Sequence, residues 1–170
     1  MKLLIIGAGG YGRTVADVAR QIGSFEKIAF LDDTKSGSGF LGRCEEYAMF
    51  CDEDTAVYPA FGDNKLRMEW LEVLMEEGLT IPTLIHPDAY VSPTATICAG
   101  SVVLPKAVVN TGVTVGIGCI VNIGALVDHD VVLENGAHVA PGAVVKAQNR
   151  IPERTKIESG TVVENRQYPL

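Results

Sequence analysis

The chain has 170 residues, a net charge of −7 and a pI of about 4.9, so no basic surface recommends nucleic acid as a partner. Hydrophobic residues make up 47%, ample for a packed core, which excludes disorder. The apolar run after Met1 stops at Gly7, too short for a secretion signal, and no stretch approaches a membrane span, so a soluble, cytoplasmic protein is expected.

The first 85 residues alternate strand and helix signals, the pattern of a parallel sheet with helices on its faces. Lys2–Ile6 reads as a buried strand, 7–12 as a glycine loop and 13–22 as a helix. A second strand, Lys27–Leu31, ends in Asp32-Asp33. The Gly/Ser-rich stretch 34–42 reads as a mobile loop. A third strand is expected over 56–61, a helix over 64–77 and a fourth strand over 80–85. His86-Pro87 marks a junction, because the residue before proline is pushed to extended geometry. The expected domains are therefore 1–85, a Rossmann-like α/β half domain, and 86–170.

The loop Gly7-Ala8-Gly9-Gly10-Tyr11-Gly12 fits G-x-G-x-x-G, follows a strand and opens a helix. Free backbone N–H groups at a helix start cradle phosphate, and an acid at the end of the second strand, Asp32 or Asp33, can reach a ribose or base. A dinucleotide needs two βαβαβ halves, and 85 residues supply only one, so NAD is disfavoured. Half a site suits a mononucleotide or a nucleotide sugar. The bland reading is that the glycines only permit tight strand–helix packing.

From Val91 onward the sequence repeats every six residues. Thirteen positions from Val91 to Val163, taken in steps of six, are all Val, Ile or Leu. Four residues after each comes a mostly small one, such as Ala95, Ser101, Ala107 and Ala125. Glycine often precedes it, at Gly100, Gly112, Gly118, Gly124, Gly136 and Gly142, where a tight corner wants a positive φ. Each hexad reads as a short strand plus a corner, and three hexads make one coil of a triangular prism. About four coils follow from the length. Cys98 and Cys119 lie within the repeat, and together with Cys44 and Cys51 they match no zinc or disulfide spacing. No metal is expected.

His129 interrupts this pattern in Val127-Asp-His-Asp-Val-Val, flanked by Asp128 and Asp130. A neutral imidazole accepts a proton near pH 7, and a carboxylate beside it fixes its tautomer. Asn122, seven residues earlier, is a further polar candidate. His138 lies half a coil on and faces another side of the prism; His86 is expected to be structural. Lys146, Arg150, Arg154 and Lys156 cluster late, either to meet the phosphates of coenzyme A or to give the solenoid end its polar cover.

Together, the glycine loop, Phe30-Leu-Asp-Asp, Gly62-Asp-Asn-Lys-Leu-Arg, Leu84-Ile-His-Pro, Asn122 and Asp128-His-Asp resemble the sugar acetyltransferases of the NeuD/PglD type. The resemblance implies a left-handed β-helix and a homotrimer with acetyl-CoA in the cleft between adjacent β-helices. It implies His129 as general base, with Asp130 and Asn122 orienting it. His138, Gly142, Lys146 and Ala147 would then contact acetyl-CoA. Gly7, Gly9, Gly10, Tyr11, Gly12, Asp32, Asp33 and Asn64 would hold a nucleotide-linked sugar, and the product would be an acetylated amine or hydroxyl. Tyr11 stands where relatives often carry histidine. The family also has one more coil after the region of His138, and a C-terminal tail. A shorter coenzyme groove follows, so the alternative is a nucleotide-sugar-binding or regulatory protein with impaired or lost transferase activity.

Overall fold

The computed structural model describes residues 1–170, which divide into two compact units, Met1–Leu84 and Ile85–Leu170. In the first, β1 (Lys2–Ile6), β2 (Lys27–Leu31), β3 (Phe40–Gly42) and β4 (Thr55–Pro59) form a parallel sheet in the order β3-β2-β1-β4. The central strands read as continuous apolar runs because helices cover the sheet. Helix α1 (Gly10–Ile22) buries Gly12, Val15, Ala16, Val18 and Ala19, spaced along one stripe. Helix α2 (Asn64–Glu76) is capped by the Asp63 carboxylate, which accepts from Leu66 N at 2.8 Å, and buries Met68, Leu71 and Leu74.

Three local expectations need correction. Helix α1 begins at Gly10, not at residue 13. The stretch expected as a loop holds β3, whose Phe40 pairs with Phe30, and a 3₁₀ segment follows at Cys44–Phe50. No strand runs over 80–85. Thr80 makes a single bridge to Ala56, Pro82 has no N–H to offer a ladder, and Leu84–Ile85 joins a sheet of the second unit.

That second unit is a prism of two-residue strands in three parallel sheets. One holds β5 (Leu84–Ile85), β8 (Val102–Val103), β11 (Ile120–Val121), β14 (His138–Val139) and β17 (Lys156–Ile157). The second holds β6 (Tyr90–Val91), β9 (Val108–Val109), β12 (Leu126–Val127), β15 (Val144–Val145) and β18 (Val162–Val163). The third holds β7 (Thr96–Ile97), β10 (Thr114–Val115), β13 (Val132–Leu133) and β16 (Arg150–Ile151). Partners lie 18 residues apart throughout, as with Leu126 and Val144 or Ile120 and His138, so no insertion interrupts any coil.

From β6 onward the second residue of each strand points inward, and these residues stack in columns. Val109, Val127, Val145 and Val163 form one such column. Ala107, Cys119, Ala125, Ala137 and Ala143 fill the narrower space at the corners. Removing each aliphatic side chain from water contributes about 1.5–3 kcal/mol. Most corners adopt left-handed φ; the majority of these carry glycine, but Lys106, Asp130, Gln148, Arg154 and Arg166 do not. At the far end, Asn149 is fully buried. Its Nδ2 donates to the carbonyls of Lys146 (2.8 Å) and Glu164 (2.9 Å), and its Oδ1 accepts from Tyr168 N. Tyr168 packs against the prism core, and Asn149 bridges Pro169 in antiparallel fashion.

Candidate functional site

In the first unit the glycine loop lies between β1 and α1, and its glycines differ in what they do. Gly7 has φ +92°, and a Cβ there would stand 3.1 Å from the Phe61 ring. A Cβ on Gly12 would stand 2.0 Å from the Gly7 carbonyl oxygen, so this glycine is required by the packing of α1 on the loop. Gly9 and Gly10 are different: a Cβ on either would meet nothing within 4 Å. The fold leaves them free, and they stand at the start of α1, which has no side-chain cap and no acid in its first turn. Its positive end is therefore open to an anion.

Asp32 closes one side of this loop. Its Oδ2 accepts from Ala8 N at 2.8 Å, and its Oδ1 accepts from Thr34 N, Thr34 Oγ1 and Lys35 N. Burial pushes the carboxyl up, but the Ala8 and Thr34 hydrogen bonds outweigh it and hold it below the ordinary range. Asp33 accepts from Cys44 N at 3.0 Å. Asp32 thus ties the glycine loop to the end of β2, while Asp33 ties that strand end to the start of the 3₁₀ segment. The Tyr11 hydroxyl lies 2.8 Å from that of Tyr58, and burial, then Tyr58, raises its pKa well above the ordinary value. The Asn64 Oδ1 accepts from Arg67 Nη2 at 2.8 Å.

Beside the loop, a cavity of about 360 Å³ is lined by Ala8, Arg13, Arg20, Lys35 and the stacked rings of Phe30 and Phe40, among others. Arg20 is paired with Asp17. Arg13 has no ion-pair partner, and Lys35 Nζ donates to the Ala8 carbonyl. A cleft with aromatic walls, Arg20 and Lys35 beside acids and Arg13 without an ion-pair partner suits an anionic ligand carrying a flat ring. Sequence reasoning missed Arg13 and Lys35; the signal was their placement just after the glycine loop and just after Asp32-Asp33.

In the second unit, His129 sits at the corner between β12 and β13, its side chain 49% exposed. Its Nδ1 lies 2.9 Å from Asp130 Oδ2. An ionised carboxylate can only accept, so Nδ1 carries the proton in the neutral ring and the Nε2 lone pair is left outward. The Asp130 hydrogen bond raises the imidazole pKa; slight desolvation opposes this, and the charges of Asp128 and Asp130 add to it. Asp128 is held in place by two donors, His129 N at 2.8 Å and Asn110 Nδ2 at 3.0 Å. The His129 N–H bond is the main cause that holds its carboxyl low. A cavity of about 290 Å³ opens along this corner, lined by Val108, Asn110, Leu126, Asp128, Val144 and Lys146 among others.

The other expected residues fall elsewhere on the prism. Within one chain, Asn122 does not reach His129; its Nδ2 lies 2.9 Å from His138 Nε2. The pair is 16 residues apart, close to one full coil, whereas the seven residues from Asn122 to His129 lead around to another corner. Gly142 has φ +66° and open space where a Cβ would stand. Lys146 pairs with Glu164, and Ala147 is buried. No helix is long and apolar enough to cross a membrane.

Comparison with known proteins agrees with this architecture. Residues 2–74 match the family described as the PglD N-terminal domain. The acetyltransferase domain of PglB from Neisseria gonorrhoeae is 40% identical with a TM-score of 0.93, covering 96% of this chain and 82% of its own. The same domain has been solved in complex with acetyl coenzyme A. WeeI from Acinetobacter baumannii shares the fold at 23% identity and TM-score 0.87, covering 100% of this chain and 84% of its own. So does a mutant perosamine N-acetyltransferase from Caulobacter crescentus, in complex with CoA and GDP-perosamine, at 23% identity and TM-score 0.68, covering 95% of this chain and 90% of its own. An α/β half domain with a PglD-type glycine loop, followed by a left-handed parallel β-helix and 40% identical to an acetyltransferase domain over nearly its whole length, places this chain in the PglD-type sugar acetyltransferase family.

Proposed function

We propose that the protein transfers the acetyl group of acetyl-CoA to an amine or hydroxyl of a nucleotide-linked sugar, with His129 as general base. The hydrogen bond between His129 Nδ1 and Asp130 Oδ2 carries the reading, because it leaves Nε2 as an acceptor on an exposed corner. Nε2 takes the proton of the sugar amine or hydroxyl as the freed lone pair attacks the thioester carbonyl. The carbon–sulfur bond then breaks, and the departing thiolate of coenzyme A takes the proton from the imidazolium. Asp130 and Asp128 favour the cation that forms between these steps. The uncapped start of α1, with Gly9 and Gly10 unhindered, and the cleft bearing Arg13 and Lys35 support the first unit as holder of the nucleotide part. No step requires a metal.

A homotrimer fits the outer surface of the prism. The outward residues Tyr90, Val108, Leu126, Val144 and Val162 lie in register across one sheet. Tyr90 is 54% exposed, Leu126 42% and Val162 46%. A continuous apolar ladder of this kind marks an association face. In such an assembly the adjoining corner, with His129 and the cavity along Asp128 and Lys146, becomes one wall of the coenzyme cleft. Leu126→Glu is expected to convert the assembly to monomer in light scattering, and to abolish transfer with it. A monomeric wild-type protein of full activity would refute the assembly.

The activity is tested by following thiol release from acetyl-CoA with a panel of nucleotide-linked amino sugars, beside calorimetry with each ligand alone. Turnover with at least one sugar supports the transferase. Nucleotide-sugar binding without any acetyl-CoA binding would instead mark a binding or regulatory protein, as a shortened coenzyme groove would allow.

A further inference from the structure

The corner that carries His129 belongs to a column of corners stacked at 18-residue intervals: Thr94, Gly112, Asp130, Gln148 and Arg166. Each layer is hydrogen-bonded to the next. Gly112 N donates to Thr94 Oγ1 at 3.1 Å, Asp130 N donates to the Thr111 carbonyl at 3.0 Å, and Gln148 N donates to the His129 carbonyl at 3.3 Å. Asp130 has φ +57°, a conformation that most corners here give to glycine. Aspartate tolerates it better than most residues but still at a cost. The side chain at this corner is therefore held in a backbone setting that favours having none.

The coil below shows what accommodates it. A Cβ built on Gly112 would stand 2.7 Å from Asp130 Oδ1, while the nearest backbone atom, Asp130 N, is 3.9 Å away. The contact is thus with the end of a side chain. An alanine at 112 would not unseat the coil; it would push the carboxylate aside. The oxygen that has to move shares its carboxylate with the one bonded to His129 Nδ1.

We propose that Gly112 is a positioning residue for His129: its missing side chain provides the space in which the Asp130 carboxylate lies while it holds the imidazole. The charged groups around the ring are few. Asp128 and Asp130 flank it in its own corner. Asn110, Thr111 and Gly112 below and Gln148 above bring no charge, and Lys146 is engaged by Glu164. Displacing the Asp130 carboxylate therefore removes the main influence on the ring.

This inference rests on the reading of His129 as the base, but it can be tested without turnover. Gly160 supplies the control: it has φ +69°, close to the +68° of Gly112, and a Cβ there would meet nothing within 4 Å. Gly112→Ala and Gly160→Ala thus carry the same backbone strain, and only the first disturbs Asp130. Gly112→Asn is a second variant, since asparagine accepts left-handed φ more readily and still carries a Cβ. The His129 ring is titrated by NMR in each full-length variant, its signal assigned by its loss in His129→Ala. Gly112→Ala, Gly112→Asn and Asp130→Asn are expected to titrate at lower pH than wild type, and Gly160→Ala to titrate as wild type. In the transfer assay Gly112→Ala should lower kcat about ten- to hundredfold and add nothing on top of Asp130→Asn. Wild-type titration in both Gly112 variants, or losses that add to those of Asp130→Asn, would overturn the proposal. The expected shifts of the ring in a protein that transfers no acetyl group would leave Gly112 in this role and reject the transferase reading instead.

Discussion

His129→Ala is expected to lower acetyl transfer by about 10²–10⁴-fold with little change in thermal midpoint. The ring stands half exposed on a corner, so its removal opens no cavity in the prism, and the column of corners keeps its backbone hydrogen bonds. The loss should fall on kcat, with KM for acetyl-CoA nearly unchanged, because the imidazole takes the proton only as the bond forms. The pH dependence has a defined sign. A base works when neutral, so kcat/KM rises with pH through the pKa of His129, which Asp130 holds above its ordinary value. Asp130→Asn removes the carboxylate and moves this acid limb to lower pH while lowering the plateau. Steady-state thiol release over a pH series checks both effects, and undiminished turnover in His129→Ala would exclude the ring from the mechanism.

Gly12→Ala is expected to destabilise the first unit by about 1–3 kcal/mol or more. Helix propensity alone argues the opposite, since alanine is favoured over glycine inside a helix by about 1 kcal/mol. The clash decides the sign. The new Cβ would stand 2.0 Å from the Gly7 carbonyl oxygen and 3.0 Å from its carbon, and both are backbone atoms fixed by β1 and by the Gly7 N–H bond to Leu31. Gly9→Ala separates folding from binding. At φ −64° and with open space around it, it should leave the urea midpoint unchanged and raise KM for the nucleotide sugar, because the methyl would stand where a phosphate approaches the start of α1. Equal midpoints for Gly12→Ala and wild type would contradict the packing account; an unchanged KM for Gly9→Ala would move the phosphate away from the loop.

The prism was legible residue by residue, because a solenoid repeats one local rule and its inward aliphatic side chains cannot be traded for polar ones. Elements that depend on distant partners were harder to read. Phe40-Leu41-Gly42 lies in a Gly/Ser-rich stretch and becomes a strand only because it can pair along β2. Thr80, followed by Pro82, looked like strand and is not. In the candidate site, the His129–Asp130 pair was visible because its members are adjacent. The Asn122–His138, Asn110–Asp128 and Gly112–Asp130 contacts span nearly or fully one coil, so closeness in sequence misleads there and the 18-residue interval is the better guide. The role of Gly112 is invisible in its own hexad, where it looks like any corner glycine.

The join of Asn149 to the final residues has a consequence for self-association. A prism of constant cross-section ends in rows of backbone donors and acceptors that a further coil, from any molecule, could extend. On one of the three sides, the chain folds its own tail back over that rim, with Arg150 N donating to the Tyr168 carbonyl at 2.7 Å and an imino acid beside it that has no hydrogen to give. On that side the edge is already paired, so a strand from another copy finds no open ladder there.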